Sequence, residues 1–282
     1  MREVLRWGFR VVNATLSPLG LGLHRVSRVT PDASAYQETS RPDVPRYVNI
    51  GAGDFFHPYW HNLDNPNDYY ETAQKGNSYI RYDLTSHQPM PFDDNTLKVA
   101  YTSHVLEHIS NDDIEFVLRE VYRCLQPGGY FRITCPDMDL EYDAYLRGDE
   151  HFWKWPNAYG VYNTSIEQKF LDHFATALTE SHPAKGYNKL TDEDVKEAFL
   201  SLPKDEAFDS IIGRLPTEIQ KDHYGDHINW FNTDKLVTML RRAGFTTVYE
   251  SKYGQSCSPI LRDTSLFDFT CPGLSLYVEC RK

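Results

Sequence analysis

Between residues 46 and 137, short apolar runs alternate with a helix-period segment and with glycine or proline stops. Arg46-Tyr47-Val48-Asn49-Ile50 is a β-prone run halted by Gly51. Trp60-His61-Asn62-Leu63, closed by Asp64, reads as a second strand. Further strands are expected at 79–82, 97–102, 130–135, 246–251 and 274–280. The clearest helix follows the capping-box run Ser110-Asn111-Asp112-Asp113, with Ile114, Val117, Leu118, Val121, Tyr122 and Leu125 at helical spacing. Pro127-Gly128-Gly129 is expected to end it. A second helix starts at Thr233 and Asp234, runs through Leu236, Leu240 and Ala243, and stops at Gly244. Strands alternating with helices predict an α/β fold: a mostly parallel sheet with helices on both faces.

Residues 140–230 break this pattern. They hold Trp153, Trp155 and Trp230, many tyrosines and five histidines, interrupted by Pro156, Pro183, Pro203 and Pro216. The stretch is too long for a loop and too irregular for one more βα unit, so an inserted cap is expected. Four regions result: an N-terminal basic segment and linker at 1–45, a core at 46–139, the cap at 140–230, and a C-terminal completion of the sheet at 231–282.

Charge and cysteine usage narrow the partners. The net charge of −11 argues against nucleic acid, which needs a basic face. Residues 1–30 run against the average, with Arg2, Arg6, Arg10, Arg25 and Arg28 facing only Glu3. They fit a packed helix with solvated arginines, or an interfacial segment whose Leu5, Trp7, Phe9, Val12 and Leu16 meet lipid or a protein. No run is apolar enough to span a bilayer or to act as a secretory core. Cys124, Cys135, Cys257, Cys271 and Cys280 show no CxxC spacing, which predicts reduced thiols and a cytoplasmic protein.

Chemistry concentrates at the expected strand ends. Gly51-Ala52-Gly53 lets the backbone turn sharply and approach a ligand with no Cβ in the way. Asp64 ends its strand 11 residues after Gly53, where a ribose-binding carboxylate would sit. Asp83 closes the third strand, and Pro91-Phe92-Asp93-Asp94-Asn95 turns into the fourth.

Taken together, the glycine turn, the acidic strand ends, Asp83-Leu84, the 91–95 turn, Val105-Leu106-Glu107-His108 and Leu125-Gln126-Pro127-Gly128-Gly129 resemble the methyltransferase-11 group of class I methyltransferases. The likeness covers about residues 46–137, with an echo in Ala243-Gly244-Phe245. It implies a Rossmann-like fold and S-adenosylmethionine (SAM) as cofactor. Gly51, Ala52 and Gly53 would line the methionine moiety, Asp64 would hold the ribose hydroxyls, and Asp83 and Leu84 would frame the adenine. Ser103 and His104 would lie near the sulfonium. Two features depart from the group: Asn49 replaces the usual acid, and the first helix is nearly absent from 55–60. The shortened version is similar to a bacterial subgroup associated with cell-surface glycan genes.

The implied activity is methyl transfer to a glycan, nucleotide sugar or other polar small molecule. A hydroxyl acceptor needs its proton removed, and His104, Asp137, His223 and His227 are the candidates. The run His223-Tyr224-Gly225-Asp226-His227-Ile228-Asn229-Trp230 is the densest polar-aromatic cluster in the chain. An NAD-dependent oxidoreductase and a non-catalytic SAM-binding protein remain alternatives. His104-x-x-Glu107-His108 also matches the H-x-x-E-H spacing of some zinc enzymes. The segment spans an expected strand end rather than a continuous helix, so no metal is expected.

Overall fold

A computed structural model describes residue 36 and residues 46–65, 79–153, 164–183, 188–216 and 219–282. The basic segment at 1–30 lies outside the described residues. Strands β1 (Tyr47–Ile50), β2 (Trp60–Asp64), β3 (Ile80–Arg81), β4 (Leu97–Ser103), β5 (Leu125–Pro136), β6 (Thr247–Ser251) and β7 (Ser275–Arg281) form one sheet in the order β3-β2-β1-β4-β5-β7-β6. The first five strands in that order are parallel, and β7 pairs antiparallel with both β5 and β6. This is the expected Rossmann-like α/β sheet. The order reverses between β1 and β4, and a ligand crevice belongs beyond the carboxyl ends of those two strands.

Alternation along the strands sorts residues onto two faces. Val48, Ile50, Leu63, Ala100, Phe131, Ile133 and Val278 lie in one core cluster. Helices α1 (Asn111–Cys124) and α7 (Thr233–Arg242) contribute to this cluster. The α1 stripe of Ile114, Val117, Leu118 and Val121 is fully buried or nearly so. At about 1.5–3 kcal/mol per side chain, that stripe alone contributes roughly 6–12 kcal/mol of gross burial. Ser110 caps α1 by accepting from the Asp113 N–H at 3.2 Å.

Helix α1 ends at Cys124, before Pro127-Gly128-Gly129. Leu125 is already extended and pairs with Leu97, and the ladder then shifts register before Val99 pairs with Tyr130. The proline–glycine run therefore sits in an irregular strand start, with Gly128 at φ +83°.

On the other face, Tyr47, Trp60, Val99 and Tyr101 pack with Tyr36, Ile260, Leu261 and Phe267. Arg132 of β5 emerges on this face and is fully buried. Its Nε and Nη2 donate to Asp268 at 2.9 and 2.6 Å, and Nη1 lies 3.4 Å from Glu279. Further bonds run from the guanidinium to the carbonyls of Lys252 and Gln255 at 2.9 and 2.8 Å. The pairing gives two buried carboxylates their counter-charge and ties β5 and β7 to the segment that covers them.

Between β5 and α7 the chain is helical. Helices α2 (Met138–Leu146), α3 (Ile166–Ala175), α4 (Asp192–Ser201), α5 (Lys204–Ile212) and the single turn α6 (Ile219–Asp222) follow in order. They hold a separate aromatic cluster that includes Trp153, Phe170, Phe174, Phe199, Phe208 and Trp230. Phe208 stacks on Trp230 at 4.8 Å, and Tyr145 on Phe170 at 4.7 Å. Trp230 Nε1 donates to Asp209 at 2.8 Å, so the indole is both packed and hydrogen-bonded. The described residues that had read as irregular are largely helical, with Pro183, Pro203 and Pro216 falling between the helices. No helix among the described residues is long and apolar enough to cross a membrane.

Replacing Arg132 with alanine leaves Asp268 and Glu279 buried without a counter-charge. Urea unfolding of Arg132→Ala is expected to show a loss of about 3–5 kcal/mol. A loss below about 1 kcal/mol would mean that the pair is not a structural tie.

Candidate functional site

Beyond the ends of β1 and β4 lies an open-mouthed cavity. Its floor is the turn after β1. Gly51 has φ +66°, and a Cβ there would meet Val105 Cγ2 at 2.4 Å. Its N–H donates to Leu63 O at 2.8 Å, which fixes the turn against β2. Gly53, at φ +55°, has nothing within 4 Å of an added Cβ, so its backbone faces open space. Asp64, at the end of β2, accepts from the Gly53 N–H at 2.8 Å through one oxygen and from the Asn65 N–H at 2.7 Å through the other. Asp83 accepts from the Thr85 N–H and hydroxyl at 2.9 and 2.8 Å, and Leu84 lies beside it on the cavity wall.

The opposite wall begins where β4 ends. His104 leaves the strand at φ +53°, a conformation that costs a non-glycine residue energy and persists where surrounding contacts fix it. One such contact is His104 Nε2 with Ser275 Oγ at 2.8 Å, and the other is Nδ1 at 3.1 Å from Glu107 Oε1. Leu106–His108 forms a single 3-10 turn that leads into α1. Glu107 is 1% exposed, and neither of its carboxylate oxygens accepts a well-aligned hydrogen bond. Burial by itself would push its carboxyl up. The His104 contact and the charges of His104, His108 and His227 outweigh that and bring it down to about 2.

The segment 226–229 is clamped on this turn. Ile228 and Asn229 N–H groups both donate to Glu107 O, at 2.8 and 3.1 Å. Asn229 Nδ2 donates to Ile109 O at 3.1 Å and Asn111 Oδ1 at 3.0 Å. His108 Nδ1 lies 2.9 Å from Asp226 O, and His227 Nδ1 lies 2.7 Å from His173 O. A ring nitrogen facing a carbonyl carries the hydrogen, so Nε2 of each is the lone-pair atom. Burial, then the neighbouring His108 and His173, hold His227 down to about 3. Burial likewise holds His173 at about 4, while burial and then Asp137 push Glu141, its hydrogen-bond partner, well up. The pair is therefore a neutral acid and a neutral imidazole.

Of the predicted cofactor residues, Gly51, Gly53, Asp64, Asp83, Leu84 and His104 line the cavity, whereas Ala52 and Ser103 do not. Ala52 is buried behind the turn, and Ser103 closes β4. The predicted bases separate. His104 is on the wall, and His227 stands behind it against His108, with ring centroids 4.8 Å apart. His223 instead packs on His182 at 5.1 Å, away from the lining. Asp137 caps α2, accepting from the N–H groups of Asp139 and Leu140 at 3.1 and 3.3 Å, and is also off the wall. Sequence reasoning missed Tyr82, Thr85, His108, Gln220, Lys221 and Tyr224 as lining residues. His108 had a visible signal in the H-x-x-E-H spacing, and Tyr224 one in the 223–230 run. The last three are brought in from α6 and beyond by tertiary packing.

Residues 61–133 match the model of a family described as methyltransferase domain, and the match runs from β2 into β5. No curated protein matches the chain. Among solved structures the chain is similar to an S-adenosylmethionine-dependent methyltransferase from Mesorhizobium loti, at 14% identity and a TM-score of 0.42, over 90% of this chain and 99% of that one. It is also similar to a SAM-dependent methyltransferase from Archaeoglobus fulgidus, at 12% identity and a TM-score of 0.40, over 100% and 99% of the two chains. Residues 61–133 thus match a methyltransferase domain, and the sheet they belong to has Rossmann-like order. The cavity fits SAM, the cofactor that the resemblance implies: a Cβ-free cradle at Gly51 and Gly53 with a carboxylate at each of two strand ends.

The two glycines separate stability from binding. Gly51→Ala is expected to lower the melting temperature of the protein without ligand, because its Cβ collides with Val105. Gly53→Ala should cost only about 1–2 kcal/mol of backbone strain yet weaken S-adenosylhomocysteine binding at least tenfold, since its Cβ enters the cradle. Equal effects of the two substitutions on both readouts would contradict this placement.

Proposed function

We propose that this methyltransferase O-methylates a hydroxyl-bearing polar acceptor of the sugar or nucleotide-sugar kind. The observation that carries the reading is the shared cavity: His104 and His108 face the same space as Gly51, Gly53 and Asp64. SAM supplies a methyl group on a sulfonium, an electrophile that is already activated. What remains for the protein is to align the acceptor, exclude water and deal with the acceptor's proton. A pocket for an unprotonated amine or thiolate has no need of clustered imidazoles around a buried carboxylate. A hydroxyl acceptor does.

Gln220, Lys221 and Tyr224 give the acceptor side of this reading. An aromatic ring beside an amide and an ammonium suits a sugar, whose C–H face packs on the ring while its hydroxyls and any phosphate meet the polar groups. On this reading residues 140–230 act as the acceptor-side cap over the strand ends. The reduced thiols of Cys124, Cys135, Cys257 and Cys280 fit a cytoplasmic setting. His104, at the junction of the two sides, is the proposed proton acceptor, and its contact with Glu107 would stabilise the imidazolium that forms. Asp137 and His223 drop out as bases, because both lie off the cavity.

Transfer of labelled methyl from SAM to a panel of sugars, nucleotide sugars, amines and thiols tests the reading. O-methylated product is expected, with His104→Ala lowering turnover by ~10²-fold or more and His223→Ala changing it by less than about threefold. Methyl found only on nitrogen or sulfur, or the reverse ranking of the two histidines, would overturn it.

A further inference from the structure

Behind the cavity wall, reached through His108, lies a cluster of side chains of metal-ligand type. A carboxylate oxygen of Glu107 and ring nitrogens of His108 and His227 all lie within 4.8 Å of one another. Glu107 is buried and its oxygens accept no well-aligned hydrogen bond. His108 and His227 each turn Nδ1 to a backbone carbonyl, at 2.9 and 2.7 Å, which leaves Nε2 of each as a lone pair. A buried carboxylate and two half-buried imidazoles at this spacing are a set of groups that a cation would join.

We propose that Glu107, His108 and His227 bind a divalent first-row transition-metal ion, and that this ion holds the acceptor's oxygen beside the methyl donor. Two imidazoles and one carboxylate are a ligand set that such ions take, with further positions left open for substrate or water. Metal bonds of about 2.0–2.2 Å bring ligand atoms roughly 3–3.5 Å apart, within reach of small side-chain rotations from the present spacing. The surroundings already have the form of a ligand shell. Metal-bound histidines almost always donate their other N–H to a carbonyl or carboxylate, and both do so here. Glu107 is in turn oriented by His104 Nδ1 at 3.1 Å. The carbonyls of Asp226 and His173 that hold the two imidazoles belong to segments locked in place. The His227 N–H donates to Thr176 Oγ1 at 3.0 Å, and the Thr176 N–H donates back to His227 O at 3.0 Å.

Metal binding stands independently of the acceptor assignment, whereas its use in catalysis rests on the hydroxyl-acceptor reading. In that use the ion lowers the pKa of a bound hydroxyl. The proton passes to His104 and from there to solvent. The alkoxide oxygen then forms its bond to the methyl carbon as the carbon–sulfur bond breaks. The electron pair goes to sulfur, leaving neutral S-adenosylhomocysteine.

A second group, His182, His223 and Asp226, has similar spacing, but its carboxylate is hydrogen-bonded through Oδ1 to His182 Nε2 at 3.3 Å. It serves as an internal control. The experiment is titration of the chelator-treated full-length protein with cobalt(II), followed by its visible absorption, alongside calorimetry with S-adenosylhomocysteine. Saturation at one cobalt per chain is expected. His227→Ala should weaken cobalt binding at least tenfold, with S-adenosylhomocysteine affinity kept within threefold, and His223→Ala should leave both unchanged. A sugar acceptor at saturation should shift the cobalt band. Absence of any cobalt band in protein that binds S-adenosylhomocysteine would overturn the site, as would loss of the band in His223→Ala but not in His227→Ala. An unshifted band at saturating acceptor would overturn the ion's role with the acceptor. Failure to bind S-adenosylhomocysteine would instead count against the cofactor assignment, so the two failures are distinguishable.

Discussion

A carboxylate buried at the end of β4 governs the arrangement of the site. Glu107 is cut off from water, and burying a charge is costly unless something of opposite sign or strong donor character answers it. The side chain that reaches its oxygens is His104 Nδ1 at 3.1 Å, with the rings of His108 and His227 gathered beside it. His104 comes from the strand end, His108 from the following turn, and His227 from the far side of the helical segment. The same glutamate anchors that segment by its backbone, since its carbonyl takes the N–H groups of Ile228 and Asn229. One residue therefore sets both the electrostatics of the wall and the seat of the segment above it.

From that seat the rest of the cavity follows. Asn229 bridges to Ile109 and Asn111 at the entry to α1, and its own oxygen receives Lys235 Nζ at 2.8 Å. Lys235 also sits over the Trp230 ring at 4.2 Å, which ties the aromatic cluster of the helices to the start of α7. Gln220, Lys221 and Tyr224 reach the cavity just before this clamp. Across the sheet, the Arg132 pairings secure β5 and β7, and Ser275 at the start of β7 holds His104. The strained backbone of His104 is thus fixed from two strands and from Glu107.

The fold was legible because it is carried by local signals. β1, β2 and β4 are buried runs bounded by glycine or aspartate, and α1 has both a serine cap and a clean apolar stripe. One wall of the cavity was legible for the same reason: Gly51, Gly53, Asp64 and Asp83 sit at strand ends whose spacing survives in one dimension. The opposite wall was not. His108 and His227 are 119 positions apart and meet only through the Glu107 carbonyl clamp, so H-x-x-E-H offered half of a cluster and suggested the wrong half. His104, first in that pattern, orients the carboxylate, and the second imidazole comes from the 223–230 run. That run was conspicuous by composition, but which histidine faced inward depended on His223 turning to His182 and His227 to His173. The helical segment was hidden by its prolines, which fall between the helices and masked the period within them.

The central claim is that the Gly51–Gly53 turn and Asp64 hold SAM, and calorimetric titration of the full chain with SAM, S-adenosylhomocysteine and NAD tests it most directly. The account predicts micromolar binding of SAM and its demethylated product at one site per chain, no measurable heat with NAD, and a loss of roughly 1.5–3 kcal/mol in Asp64→Ala, as for a hydrogen bond to a charged group. Tight binding of NAD with no binding of SAM, or unchanged SAM affinity in Asp64→Ala, would contradict it.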